Sequence, residues 1–247
     1  MNRTFSTLVV LPILSSVAGL IPKYGPEGAP RATLLRNDSD YVRQSPNSDY
    51  WSLSPYYVGM RGGHSASAAS VVMVLNALRK DTKYSSSDEL VTESGLLSKL
   101  PKEKWADKLS GEKPVGVDLA RLATLAQESL AAYGVSGGAV RAIRIVDASD
   151  KTLDRVRQQL IENEKSDRDF VIANYLQSAF THDPEGAVGT YSPVAAFDAA
   201  KDRVLVFETD RTYYEPYWVS LKDFVSGLSQ LKGADKKPTG GLIVLSR

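Results

Sequence analysis

The chain has 247 residues, 43% of them hydrophobic and 24% charged, enough for a sizeable core in one large or two small lobes. With 30 basic and 29 acidic residues the net charge is +1, which gives no sign of nucleic acid or an anionic membrane as a partner. There is no cysteine and there are only two histidines, His64 and His182, so disulfides and thiolate metal sites are excluded and neither a zinc site nor a cofactor is expected.

Arg3 followed by the apolar run 8–14 and the small-x-small pattern Ser16-Val17-Ala18 reads as a secretory signal peptide over 1–18. It is too short to span a bilayer. The mature protein is therefore expected in a periplasm or outside the cell, with no transmembrane helix once the leader is removed, where the lack of thiols is no handicap. The alternative is a cytoplasmic protein with a buried N-terminal arm. Residues 19–50, rich in Pro, Gly and Asn, are expected to form an extended arm around a single two-lobed domain, 51–247.

A central helix is expected to start near Ala66 and to bury a face through Val71, Val72, Leu75 and Leu78. Ser65 or Ser67 is expected to cap it. A helix is predicted over 86–100 from a Ser/Asp start. A further helix is capped by Asp118 and ends near Gly134, which suits a left-handed C-terminal position. Residues 140–146 alternate as a strand, and 152–163 form an amphipathic helix. The second half is strand-rich: 169–175, then 191–198 and 203–209 around a turn at 199–202, a short helix over 220–231, and a closing strand over 241–245. A helical half followed by an antiparallel sheet half is α+β.

The helix head carries the most telling feature. The stretch Gly62-Gly63-His64-Ser65-Ala66-Ser67-Ala68-Ala69-Ser70-Val71-Val72-Met73-Val74-Leu75-Asn76-Ala77-Leu78 resembles, in its second half, a segment of the phytochelatin synthase family. Those are papain-like transpeptidases that cut glutathione and transfer its γ-glutamylcysteinyl unit. Their pattern reads Cys-Gly-x-Ala-Ser-x-x-Met-Val-Leu-Asn-Ala-Leu, and without gaps its cysteine falls on Ala66. Residues 189–198 are similar to the family's Gly-His-Phe-Ser-Pro strand, retain Ser192 and Pro193, and place the general-base histidine on Thr190. Residues 207–219 resemble Leu-Asp-x-x-Arg-x-x-Tyr-x-Pro-x-Trp-Val, which retains Arg211 and Tyr214 and puts the orienting aspartate on Glu208. The oxyanion-hole glutamine, six residues before the cysteine, falls on Met60. The resemblance implies a papain-like fold with a cleft between the lobes.

Each replacement has a chemical meaning. In a Cys–His–Asp site the thiolate attacks, the imidazole moves protons and the carboxylate fixes its tautomer. A methyl group has no lone pair, and a threonine hydroxyl takes no proton near neutral pH. Met60 offers no donor to an oxyanion, a contact usually worth about 3–4 kcal/mol of barrier. An engineered knockout needs only the first change, so the pattern implies a natural pseudoenzyme that binds a small peptide or γ-glutamyl compound, or supports a partner protein. The rivals are a repurposed acyl or aminoacyl transferase and an engineered inactive variant.

Other chemistry has a plain reading beside it. Ser65 and Ser67 flank the empty position, but helical neighbours point about 100° away from it. His182, in a polar loop, reads as a solvated histidine. Strand alternation sets Glu208 and Asp210 on one face, a pair that ordinary polar contacts explain. Arg211 either grips a ligand carboxylate or pairs with Glu208 or Asp210. With Tyr214, Ser65, Ser67 and Ser192 it completes the candidate ligand-binding set.

Overall fold

The computed structural model describes residues 23–25, 31–46, 49–100, 105–110 and 115–247. The expected leader, 1–18, and part of the expected arm lie outside those residues.

In chain order the elements are β1 (Ala32–Leu34), α1 (Asp40–Gln44), α2 (Asp49–Leu53), α3 (Ala66–Leu78), α4 (Glu93–Lys99), α5 (Trp105–Ser110), α6 (Leu119–Ala132), β2 (Ala139–Arg144), α7 (Asp150–Glu164), β3 (Asp169–Leu176), α8 (Gln177–Thr181), β4 (Gly189–Asp198), β5 (Arg203–Val206), β6 (Tyr217–Ser220), α9 (Leu221–Gln230) and β7 (Gly241–Ser246). The seven strands form one sheet in the order β1-β6-β5-β4-β3-β7-β2, and every neighbouring pair is antiparallel. The class is α+β, and a helical half packed on an antiparallel sheet is the arrangement that a papain-like fold implies.

The sheet separates two cores. On one face α3 and α6 pack with Ile172, Tyr191, Ala195, Leu205 and Phe207; on the other α7 and α9 pack with Val171, Tyr175, Val194, Val204 and Tyr217. Strand alternation produces the division, since odd and even residues of β3 fall in different cores.

The central helix differs from expectation in one respect. All of α3 is buried, not one face of it, because the sheet lies on one side and α2, α4 and α6 cover the rest. Its small and apolar residues permit close approach all round. Asn76 is the polar exception: its amide donates to the Val91 carbonyl at 3.0 Å and accepts from the Val91 N–H at 2.8 Å. That double bond overrides the helix expected over 86–100. Val91 cannot join a helical ladder while Asn76 holds both its backbone groups, so α4 starts only at Glu93, where Thr92 Oγ1 accepts from Gly95 N.

The other caps follow the sequence. Asp118 Oδ1 accepts from Arg121 N at 2.8 Å, and α6 ends with Gly134 at φ +70° and a Val135 N–H to Leu130 carbonyl bond. Ser149 and Ser220 cap α7 and α9. The turn at 199–202 joins β4 to β5 as expected, with a bulge at Val194/Ala196. Two short strands, β1 and β6, escaped sequence analysis. β1, in the expected arm, pairs with β6, so this part of the arm is the edge of the main sheet. β7 lies between β3 and β2.

Candidate functional site

The N-terminal end of α3 opens into a cleft of about 760 Å³. Its walls come from the loop before α3, the loop before α6, the adjoining ends of β3 and β4, and the connection between β5 and β6. Met60, Ala66 and Thr190 all line it, so Thr190, far in sequence from the other two, shares the cleft with them. Met60 is fixed by its N–H to the Thr209 carbonyl, 2.8 Å. Next to it, a Cβ on Gly59 would come within 2.8 Å of Arg211 Cβ, so only glycine lets the two segments approach. Thr190 is held by its carbonyl, which accepts from Asn174 Nδ2 at 3.0 Å. Tyr191 Oη ties the loop before α6 to β4 through the Val117 carbonyl.

Glu208 does not line the cleft. It is fully buried: Oε2 accepts from Tyr175 Oη at 2.7 Å and Tyr217 Oη at 2.9 Å, and Oε1 from the Asp210 N–H at 3.1 Å and Ser192 Oγ at 3.4 Å. Burial, and then the Glu208 charge, push both phenols far above their usual range. Ser192 is thus committed inside the core. Asp210 does line the cleft; burial first and Glu208 second raise its carboxyl above the usual range.

Arg211 and Tyr214 also lie outside the cleft lining. Arg211 is exposed, lies over the Tyr57 ring at 4.9 Å, and donates to Tyr57 Oη and the Tyr214 carbonyl. It forms no ion pair with Glu208 or Asp210. Tyr214 Oη donates to Asp183 Oδ2 at 2.7 Å. His182, at φ +62°, ends α8 and is exposed; His64 lines the cleft.

The helix head is unusual. Ser65 occupies the N-cap position but does not cap: its Oγ accepts from the Arg61 and Gly62 N–H groups and donates to the Gly62 carbonyl, which shapes the loop instead. Ser67 lines the cleft and its Oγ accepts from Trp105 Nε1 at 3.4 Å. Sequence analysis did not single out Asn174 or Gln177, which also line the cleft. Their signal was available: carboxamides closing an otherwise apolar strand.

Among the described residues no group of three acids or histidines is placed to hold a metal, and no helix is long and apolar enough to cross a membrane. The site offers donors and a shaped cleft but neither thiol nor imidazole at the matched positions.

An α+β fold with a cleft at the head of a buried central helix defines the class. The sequence then fixes the family: the phytochelatin synthase family model matches residues 36–240, and the chain belongs to that family. It is 26% identical over 208 residues to glutathione gamma-glutamylcysteinyltransferase 1 of Lotus japonicus, covering 83% of this chain and 37% of that protein. It is 27% identical over 184 residues to glutathione gamma-glutamylcysteinyltransferase 2 of Arabidopsis thaliana, covering 72% and 35%. The chain thus spans little more than a third of the curated relatives it matches. Among solved structures, the Pseudomonas avirulence protein AvrPphB overlaps with a TM-score of 0.34 at 9% identity, over 79% of this chain and 98% of that one.

Proposed function

We propose that this protein is a pseudoenzyme of the phytochelatin synthase family that uses the old cleft to bind a small peptide or γ-glutamyl compound. The observation that carries the reading is Ala66 at the cleft head of α3, in a chain without cysteine. Thr190 and Met60 in the same cleft support it, because base and oxyanion donor are replaced along with the nucleophile. Ser67 does not replace the thiol: its hydroxyl accepts from Trp105 Nε1, and no histidine is among its partners. The same proposal includes export, on the strength of the leader-like 1–18. Intact mass of the native secreted fraction checks it, with a mature start near Gly19 expected and a product starting at Met1 against it.

Free glycine released from glutathione, with and without cadmium, tests the central claim. No release above a heat-killed control is expected. Ala66→Cys alone is expected to stay nearly inert, while the combination with Thr190→His and Met60→Gln acylates. Turnover by the natural chain, or a single variant as fast as the triple, overturns the proposal.

A further inference from the structure

β2 closes one edge of the sheet, with six residues against three for β1 at the other edge. Ala139, Arg141, Ala142 and Arg144 are exposed along it. One bond fixes which way its backbone faces. Ile145 N–H donates to the Gly240 carbonyl, so Ile143 and Arg141 also turn their backbone groups to β7, and those of Val140, Ala142 and Arg144 turn away from the sheet. Gln127 covers the first of these: its Oε1 accepts from Val140 N at 3.0 Å, and its Nε2 donates to the Gly138 carbonyl at 3.1 Å. Ala142 and Arg144 have no such cover among the described residues, and an open edge accepts a further strand. Beside that edge, β2 and α7 enclose a groove of about 490 Å³ floored by Ile143, Val156 and Leu242. Arg141 and Arg155 also line it, while alternation puts Arg144 on the opposite face of the strand. Arg141 meets the neutral Gln159 Oε1 at 2.6 Å, and none of the three arginines has an ion-pair partner among the described residues. The acids nearby are engaged elsewhere: Glu162 pairs with Lys165, Asp154 with Arg157, and Asp147 accepts from the Ser149 and Thr152 hydroxyls.

We propose that the β2 edge docks an extended acidic segment of a partner protein, which adds a strand beside Ala142 and Arg144. The outward N–H and C=O groups of those two residues supply main-chain hydrogen bonds, and side chains of the added strand supply the selection. An apolar one enters the groove over Ile143, Val156 and Leu242, and carboxylates meet Arg141 and Arg155 on one face and Arg144 on the other. Charge chooses the occupant. A second copy of this chain would set Arg141 and Arg144 against their own counterparts, and like charges across a strand pair are destabilising. The docking site shares no lining residue with the cleft at α3, so it stands apart from the cleft-binding reading.

Titration of the isotope-labelled protein with two capped peptides tests this by NMR. One alternates valine and glutamate over about eight residues, a usual strand length; the other carries lysine in place of glutamate. The acidic peptide is expected to shift and protect the Ala142 and Arg144 amides with a Kd below about 1 mM, and to weaken as salt is raised. The lysine peptide should bind about tenfold or more weakly. Ala142→Pro removes one outward N–H at an edge position, where proline is tolerated, and should weaken the acidic peptide by about tenfold. The exposed double variant Arg141→Glu, Arg144→Glu keeps the test open should the proline variant not fold: it should prefer the lysine peptide. No shift at Ala142 and Arg144 with the acidic peptide, equal binding of the two peptides, or an unchanged preference in the double variant overturns the proposal. Concentration-dependent dimerisation that protects the same amides without peptide also overturns it, and gives the edge to a second copy.

Discussion

Glu208 and Asp49 are both carboxylates shut away from water, at 0% and 1% exposure, and their surroundings are opposite. Glu208 sits in a cage of two phenols, a serine hydroxyl and a backbone N–H. Asp49, at the start of α2, has no hydrogen-bond partner on either oxygen. Its carboxyl is pushed well above the usual range, chiefly by burial and then by the Glu164 and Asp169 carboxylates; Asn163 and Lys80 oppose this weakly. Asn163 Nδ2 is spent on the Asp169 carbonyl, and Lys80 pairs with Asp167. Glu164 is raised to about 7, again chiefly by burial, with the Phe197 N–H and Tyr41 Oη holding it down and Asp198 pushing it up. Arg203 is taken by Asp198 and Asp38, so it does not relieve this group. The comparison teaches that the position matched to the family's orienting aspartate is held in a satisfied hydrogen-bond network, whereas the remote acid group lacks partners and burial pushes its carboxyls upward.

The largest effect is expected at the cage. Glu208→Leu leaves the Tyr175 and Tyr217 hydroxyls buried without their acceptor and should cost about 3 kcal/mol or more in urea unfolding. Glu208→Gln, which keeps an acceptor oxygen, should cost less. Asp49→Asn should cost little by the same measurement. Equal losses for Glu208→Leu and Asp49→Asn would erase the contrast.

The second effect is a pH dependence. Asp49 and Glu164 have folded-state values above their unfolded ones, so the folded protein binds more protons. Their contribution is fully present below about pH 4, the unfolded range, and is lost as pH rises through the folded values. For Glu164 that window runs up to about 7. The melting temperature should therefore fall from pH 5 to pH 8, and Asp49→Asn should flatten the fall and melt higher than the natural chain at pH 8. A flat profile for the natural chain contradicts the assignment.

The smallest effect is expected at Arg211. It is exposed and rests on Tyr57, so Arg211→Ala should cost only about 0.5–1 kcal/mol. Since Arg211 is outside the cleft lining, the variant should leave any glutathione-induced shift unchanged. Loss of that shift would return Arg211 to the binding machinery.

The sequence by itself determined the class, the family and the caps. Asp118 and Gly134 bracket α6 because capping is local chemistry, read from neighbours within a turn. The 191–198 and 203–209 runs gave their hairpin for the same reason, through apolar stretches on either side of a polar turn, although the second strand ends at Val206. The positions of Ala66, Thr190 and Met60 could be read by matching motifs, and the structure places all three on one cleft. Tertiary structure decided the rest. The helix expected over 86–100 lost its first turns to Asn76, a partner 15 residues from Val91 in sequence. β1 and β6, of three and four residues, are too short to show a period and exist only because each pairs with a distant strand. The fate of Glu208, Arg211 and Tyr214 was likewise invisible. Alternation says which side of a strand a residue takes, but not whether that side meets a cleft, a cage of phenols or solvent.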